Sequence, residues 1–303
     1  SFGFLSKYRH DFEPMRARVI VGLDFDISPG SRDEDSIRVT STGNNVSGKT
    51  YIYNKGIASV KIYDYDVTFR SISPYIHGEI SPTDKLRVIA GLRYDDMQYD
   101  YDNKMNGGAA GATRGVLGAF PAGGFYGHVA STKVDYSHWG PKLGATYEFS
   151  KALTGFANYS NSFRTPSEGQ VFRGSRESTA QRAQLAAQSL LNLDPVIVDN
   201  YELGLRGLAG RANYEVSVYY MKKKDDIVSY QAPVTNQRTV VNAGETLHKG
   251  IELGLGAPIT DLWRVDAGVS YAKHTYEKWK VSGTADYSGN EMESAPRLIA
   301  NTR

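Results

Sequence analysis

Apolar and polar residues alternate with a period of two along most of the chain. Between Leu86 and Asp95, every second residue is apolar or aromatic, and the intervening residues are mostly charged, polar or glycine. This is the period of a β-strand, in which successive side chains point to opposite faces of a sheet. We predict eleven strands, at residues 3–10, 16–28, 60–80, 85–101, 133–149, 152–163, 199–208, 211–230, 238–257, 262–277 and 293–303.

The connections between these strands are alternately short and long. Tight turns on one side and long loops on the other are typical of outer-membrane barrels. We therefore predict an all-β fold, an antiparallel up-and-down transmembrane β-barrel. The alternative is a soluble β-sandwich, in which the apolar face would meet a core instead of lipid. The short connections are expected at 12–15, 81–84, 150–151, 208–210 and 258–261, and the long ones near 29–59, 102–132, 164–198, 231–237 and 278–292.

Two of the long loops have a distinctive composition. Residues 177–192 are rich in Ala, Gln and Leu with an apolar spacing near 3.6, which predicts a short surface helix over the barrel mouth. Residues 107–127 are rich in Gly and Ala. Because so much glycine disfavours regular structure, we predict a mobile loop there.

Composition narrows the classes of function. The 303 residues include 21 Tyr and 31 Gly but no Cys, which excludes disulfides, thiolate metal sites and cysteine nucleophiles. With 35 basic and 33 acidic residues, the chain has no electrostatic signal for nucleic acid, and no such partner is expected. No apolar run reaches 18 residues, so a transmembrane helix is excluded, whereas membrane-spanning strands are not.

Four stretches, in this order, resemble the barrel of TonB-dependent outer-membrane receptors. They are SPYIHGEISPTDKLRVIAGLRYD, HWGPKLGATYEFSKALTGFANYSNSFRTPS, LDPVIVDNYELGLRG and VVNAGETLHKGIELGLGAPITDLWRVDAGVSYA. The closing SAPRLIAN is similar to the segment that precedes the family's last strands. The resemblance covers the chain from about Val67 onward. It implies that residues 1–303 form about half of a 22-stranded barrel, truncated at both ends and without the family's plug domain.

The resemblance also implies a function. It is the energy-coupled uptake of a scarce nutrient across the outer membrane of a Gram-negative bacterium, with a ferric siderophore as the expected ligand. TonB would act through the missing N-terminal part, and lipid and lipopolysaccharide would surround the barrel. Cobalamin and oligosaccharides are alternative ligands of the same class, and a passive porin-type channel is an alternative of another class.

An outer-membrane enzyme is the remaining alternative. None of the six histidines stands in a two-His metal spacing or beside a nucleophile motif, although a distant pairing such as His77 with Ser137 stays open. The sequence therefore predicts no enzyme, no cofactor and no metal site.

The polar face of the strands is expected to line the barrel lumen. It would contact the plug and guide a polar ligand, or it would only keep a water-filled barrel hydrated. The candidate lumenal residues are Arg87, Arg93, Asp95, Lys142, Glu148, Glu202, Arg206, Glu215, Glu252, Arg264 and Asp266.

The longest loop carries an excess of arginine over acidic residues. Such a set suits an anionic iron chelate, although contact with lipopolysaccharide or loop solubility is the alternative. Haem receptors of the family place a histidine in this loop, and no histidine lies between Phe163 and Leu193, which counts against haem. The candidate ligand-binding residues are Phe163, Arg164, Arg173, Arg176 and Arg182.

Acidic and tyrosyl residues cluster in RYDDMQYDYDN, at 93–103. Carboxylate oxygens are the ligands that Ca²⁺ prefers, so a cation site at the barrel rim is one interpretation of this cluster. An interfacial aromatic belt with a solvated edge is the other, and we favour it. The four acidic residues concerned are Asp95, Asp96, Asp100 and Asp102.

Overall fold

The computed structural model describes residues 1–42, 50–53, 59–115, 124–174, 176–231, 238–242, 244–280 and 286–303. The chain is built mainly of strands, as the alternation predicts. In the first half these are β1 Phe2–Phe12, β2 Ala17–Ser36, β3 Val39–Thr42, β4 Thr50–Tyr53, β5 Val60–Ile80, β6 Leu86–Asn103, β7 Gly111–Arg114 and β8 Phe125–His128.

The second half begins with two long strands and two helices. After β9 Thr132–Ser150 and β10 Leu153–Arg164, the chain forms α1 Glu168–Phe172 and α2 Ala180–Leu190. Neither these nor any other helix among the described residues is long and apolar enough to cross a membrane. The remaining strands are β11 Val196–Ala209, β12 Ala212–Lys224, β13 Ile227–Gln231, β14 Arg238–Asn242, β15 Glu245–Pro258, β16 Arg264–Lys278 and β17 Leu298–Thr302.

Eleven strands form one antiparallel sheet, which confirms the predicted all-β, up-and-down fold. Their order is β1-β2-β5-β6-β9-β10-β11-β12-β15-β16-β17, so each strand pairs with the next long strand along the chain. Strands β1 and β17 are its two edges, and the barrel is not closed. The remaining strands form three two-stranded hairpins, β3–β4, β7–β8 and β13–β14, within the long connections.

The two ends of the sheet differ. All short connections, such as 81–85 and 151–152, lie at one end, which we call the turn end. The three hairpins and both helices belong to connections at the other, which we call the loop end. This is the distribution of connection lengths that the sequence predicts.

The two faces of the sheet differ as strongly. We call the face that α1 covers the inner face, and the opposite one the outer face. Strand β6 contributes Arg87, Arg93 and Asp95 to the inner face, and Leu92 to the outer face. The outer face exposes large apolar side chains, which suits contact with lipid. They include Leu92, Trp139, Leu143, Tyr147, Tyr201, Leu203, Leu205, Val218, Tyr220, Ile251, Leu253, Leu255, Val265, Val269 and Tyr271.

Some predicted boundaries are wrong. Strand β2 continues to Ser36 instead of ending at 28, because it pairs with β5 along its whole length. The strand predicted at 211–230 is divided, since Asp225 has a left-handed φ of 56° that ends β12. The strand predicted at 238–257 is divided before Glu245, where Gly244 has a φ of 81°. The last strand is shorter than predicted, at Leu298–Thr302.

The long loops contain more regular structure than the composition suggests. The predicted helix exists as Ala180–Leu190, shorter than 177–192 because Thr179 caps it and accepts a hydrogen bond from the Arg182 backbone N–H. The prediction of a mobile loop without regular structure at 107–127 is wrong for the part of that range that the structure describes. Gly111–Arg114 pairs with Phe125–His128 as the β7–β8 hairpin, and residues 116–123 of that prediction lie outside the described residues.

The hydrophobic core lies at the loop end, between the inner face and the folded loops. Its centre is formed by Tyr65 and Tyr101 from the sheet and by Phe172 from α1, each almost fully buried. Further buried members are Ile62, Tyr63, Val67, Tyr99, Val129, Tyr136, Val171 and Ala187. The same packing therefore holds the loops in position and covers the inner face at the loop end.

Candidate ligand-binding surface at the loop end

The segment between β10 and β11 folds back over the inner face. Pro166 is buried at its start, and Ser167 begins α1 with a capping box in which Gln170 bonds back to the Ser167 backbone N–H. The ring of Phe172 then stacks on Tyr101, with centroids 4.3 Å apart and planes within 10°. This short helix is thus fixed at both ends.

Three tyrosines of β5 and β6 anchor the same segment by hydrogen bonds. The hydroxyl of Tyr99 donates to the Pro166 carbonyl at 3.1 Å, and that of Tyr63 donates to the Gly174 carbonyl at 2.9 Å. Tyr65 donates to the carboxylate of Glu168. Buried polar groups need hydrogen-bond partners, so these three bonds hold the segment at one position on the inner face.

Helix α2 packs on the β7–β8 hairpin. Phe125 and Glu177 exchange two backbone hydrogen bonds of 2.8 Å, which attaches the hairpin to the chain just before the helix. At Gly127 the two elements approach so closely that a Cβ would lie 1.9 Å from the Ala183 carbonyl oxygen. Ala183 itself is fully buried. The helix and the hairpin thus form one cover over the core.

The predicted ligand-binding residues of this segment fall into two groups. Phe163 is half-buried and stacks on His138 of β9, with ring centroids 4.7 Å apart. Arg164 and Arg182 are exposed.

The other two arginines are half-buried against the loops and the sheet. The guanidinium of Arg173 lies against Gly169 and 3.8 Å from the Glu34 carboxylate, and the stem of Arg176 lies against Gly124. The structure therefore places Arg173 and Arg176 in the interface between the loops and the sheet, and Arg164 and Arg182 on its surface.

The predicted lumenal residues all lie on the inner face by their register, and most have a polar or aromatic neighbour. Arg93 is held between Asp24 and the buried Asp95, at 2.7 Å from the latter. Arg87 pairs with Glu79 at 2.5 Å, and Arg264 pairs with Asp266 at 2.7 Å.

The remaining lumenal residues make weaker contacts. Glu202 accepts from Asn158 at 3.3 Å, and Arg206 lies over the ring of Phe156. Lys142, Glu148 and Glu252 are opposite Gly91, Thr154 and Ser217, and Glu215 is opposite Arg206.

Several inner-face residues meet at an open groove of about 450 Å³. Asp24, His77, Arg93, Lys142 and Asn161 line it, below the covered core. Asn161 also contacts His138 at 2.6 Å and donates to Asp199 at 2.7 Å. The groove offers both signs of charge to a polar ligand.

Sequence reasoning missed the tyrosines as loop anchors. The interpretation of residues 93–103 as an interfacial aromatic belt, which we favour from the sequence, is wrong for Tyr99 and Tyr101. Both are buried on the inner face under α1. The sequence does contain a signal for these anchors, because the motif YDYD occurs twice, at 63–66 and 99–102, on the paired strands β5 and β6.

The acidic cluster is divided as well. Asp95 lies on the inner face, whereas Asp100 and Asp102 alternate with the buried tyrosines and are on the outer face. No group of three or more acidic, His or Cys side chains that could hold a metal occurs among the described residues.

Comparisons with known proteins agree with this architecture. A probable TonB-dependent siderophore receptor, PiuA, from Acinetobacter baumannii is 23% identical over 246 residues, which is 78% of this chain and 29% of that protein. The crystal structure of the siderophore receptor PiuA from the same species superposes with a TM-score of 0.64 at 18% identity, covering 99% of this chain and 43% of that one.

A second curated relative is the ferric-pyoverdine BN7/BN8 receptor of Pseudomonas putida, which is 24% identical over 66% of this chain and 20% of that protein. The chain thus spans well under half the length of these relatives. The family profile for the TonB-dependent receptor-like β-barrel, whose members are receptors and transporters of the Gram-negative outer membrane, matches residues 2–303. The chain therefore belongs to the TonB-dependent receptor β-barrel family.

Proposed function

We propose that this chain is part of an outer-membrane receptor of a Gram-negative bacterium that takes up a ferric siderophore. Energy would reach the barrel through TonB, acting on a plug domain encoded outside residues 1–303. Lipid and lipopolysaccharide would contact the apolar outer face. No covalent chemistry is required of the chain, since uptake depends on binding and on work done by the partner.

One observation carries the proposal. Residues 166–174 are packed onto the inner face at the loop end by the stack of Phe172 on Tyr101 and by three tyrosine hydroxyls. Below them, the inner face continues as a wall of paired charges, of which Arg93 between Asp24 and Asp95 is the centre. A ligand entering from the loop end would meet the exposed arginines first and this polar wall next.

The charges of the loop segment favour an anionic ligand. Arg164 and Arg182 are exposed, and neither has a carboxylate partner among the described residues. Guanidinium groups bind carboxylate and catecholate oxygens through paired N–H donors, so they suit an iron chelate of that kind. Both relatives named above are receptors for siderophores by their names, and this supports the same ligand class here.

Uptake by the intact protein tests the proposal. The full-length gene would be expressed in a Gram-negative strain that lacks its own ferric-siderophore receptors, and radioactive iron uptake would be measured with purified siderophores. We expect saturable uptake that disappears when TonB is deleted. Uptake that persists without TonB would indicate a passive channel, and induction of the gene by a sugar or cobalamin instead of iron starvation would contradict the ligand class.

The loop arginines need a separate test with a matched control. We expect Arg164→Gln/Arg182→Gln to weaken siderophore binding, because it removes two exposed cations without disturbing packing. Arg211→Gln is the control, since Arg211 is also exposed but lies at the turn end, where it pairs with Asp261. Unchanged binding in the loop variant would remove Arg164 and Arg182 from the site. Arg173→Gln and Arg176→Gln would report on loop packing as well as on binding.

A further inference from the structure

A row of nitrogen and sulfur side chains crosses the inner face near the loop end. The pairing register places Met221 of β12 opposite His248 of β15, and His248 opposite His274 of β16. The backbone N–H of Met292 donates to the His274 carbonyl at 3.0 Å, and Thr275 and Glu291 form an antiparallel β-bridge. This register puts Met292 opposite His274. Residues directly opposite each other in an antiparallel pair share a face. The row is therefore Met, His, His, Met.

The two imidazoles of this row are in direct contact. Their Nδ1 atoms are 2.7 Å apart, and the ring centroids are 5.0 Å apart. Two protonated Nδ1 atoms would both be donors and could not form this contact. At least one Nδ1 therefore presents a lone pair to the other ring.

A hydrogen-bond chain identifies which ring that is. Thr246 is fully buried, and its hydroxyl contacts the Asp226 carboxylate at 3.3 Å and Nε2 of His248 at 3.2 Å. The carboxylate can only accept, so it takes the single hydroxyl proton, and Thr246 can then only accept from Nε2–H of His248. The lone pair of neutral His248 is consequently on Nδ1, directed at His274.

This arrangement is that of a metal ligand held in position. Imidazoles that bind metals donate their second ring N–H to a carboxylate or to another acceptor, which fixes the tautomer and the ring orientation. Lys223 is opposite Thr246, and its ammonium group lies 4.0 Å from the Asp226 carboxylate, which partly offsets its charge. The register puts one methionine, with its thioether sulfur, next to each imidazole.

We propose that the row Met221, His248, His274 and Met292 binds one copper ion, with Cu(I) bound more tightly than other metals. Thioether ligands select Cu(I), and imidazole binds copper well, whereas ferric iron prefers oxygen donors. The two Nδ1 atoms would replace their mutual contact by bonds to the ion, which requires them to separate to roughly 3.3 Å for bonds of about 2 Å at a tetrahedral angle. The proton that Nδ1 of His274 donates in that contact would move to Nε2 of the same ring, so that His274 stays neutral and its Nδ1 lone pair faces the ion. This site goes beyond siderophore uptake and needs only the fold.

Copper binding to the full-length receptor in detergent tests the site. Cu(I) would be supplied under ascorbate, its affinity measured by competition with a chromophoric Cu(I) chelator, and its amount by elemental analysis. We expect one ion per chain in the wild type and none in His248→Asn/His274→Asn. Met221→Leu/Met292→Leu conserves volume and fold, and it should weaken Cu(I) binding at least about tenfold while changing Cu(II) binding less.

Two further variants separate a specific site from general effects. His77→Asn/Met97→Leu alters the same residue types on the inner face outside the row and should bind copper as the wild type does. Thr246→Val, which removes the orienting hydroxyl, should weaken binding about tenfold, and Thr246→Ser should restore it.

Three results would overturn the proposal: copper retention no greater in the wild type than in the double His variant, an equal loss in the His77/Met97 control, or wild-type Cu(I) affinity in the double Met variant. The outcome is independent of siderophore uptake, because the row contributes no residue to the loop-end surface. Ferric uptake by the double Met variant should match the wild type whichever way the copper measurement falls.

Discussion

The ring of Phe172 lies parallel to that of Tyr101, 4.3 Å away, and meets the edge of Tyr99 at 6.0 Å. Phe172 belongs to a loop helix and the tyrosines to a strand of the sheet, so this contact joins the loop segment to the barrel wall. Stacked and edge-on aromatic pairs add to the stabilisation that apolar burial provides. This contact is one of those that hold the segment between β10 and β11 on the inner face.

Replacing Phe172 with Ala should therefore release the segment without unfolding the sheet. A buried Phe→Ala change costs about 3–5 kcal/mol, and here the loss falls on the loop. Trypsin is a direct probe, because Arg164, Arg173, Arg176 and Arg182 are in or beside the segment. We expect much faster cleavage there in the variant. Leu185→Ala, at an exposed position of α2, is the control and should be cleaved as slowly as the wild type.

The strands and faces could be predicted because the relevant signal is local. Arg87 and Val88 are adjacent, and their difference in polarity is enough to assign each to a face. Eleven strands, their order and the two kinds of connection followed from this period of two and from turn residues.

The contacts that build the candidate site are not local and left no such signal. Tyr63 bonds to Gly174 and Tyr65 to Glu168, across more than a hundred positions of sequence. Alternation puts a tyrosine on a face but does not say what covers it. The pair His248 and His274 is of the same kind, because only the register of β15 against β16 brings the two rings together.

The β7–β8 hairpin should loosen in acid because of His128. Burial lowers the pKa of His128 below its usual value of 6.5, and its Nε2 is buried without a partner. His128 therefore binds a proton more readily in the unfolded hairpin than in the folded one. The contribution of neutral His128 to the stability of the hairpin is fully present above about pH 6.5 and is lost as the pH drops below that value.

Hydrogen exchange measures this effect. We expect faster exchange at 111–114 and 125–128 at about pH 5 than at about pH 8, after correction for the intrinsic rate. His128→Gln cannot take up the proton and should remove the difference between the two pH values. A difference that survives in this variant would assign the acid sensitivity to another group.

Loss of Arg93 should destabilise the sheet more than loss of Arg264. Asp95 is 6% exposed, so removing Arg93 leaves a carboxylate without its cation in a buried place. Because the guanidinium is itself partly exposed, we expect Arg93→Met to lower the free energy of unfolding by about 1–3 kcal/mol. Arg264 and Asp266 form a solvent-exposed pair, and Arg264→Met should have no measurable effect. Urea titration in lipid vesicles compares the two, and equal effects would contradict the role of burial.

Gly127 lies so close to α2 that we expect no residue with a side chain to be tolerated at this position. A Cβ at this position would lie 1.9 Å from the Ala183 carbonyl oxygen, which is backbone and cannot move aside without moving the helix. Gly127→Ala should thus separate α2 from the β7–β8 hairpin and expose Ala183 and Ala187, both of which are buried. The matched control is Gly30→Ala in β2, where the nearest atom to a new Cβ is 3.8 Å away. We expect faster exchange of the α2 amides and faster tryptic cleavage at Arg182 in the first variant only. Unchanged exchange in Gly127→Ala would show that the helix does not depend on this contact for its position.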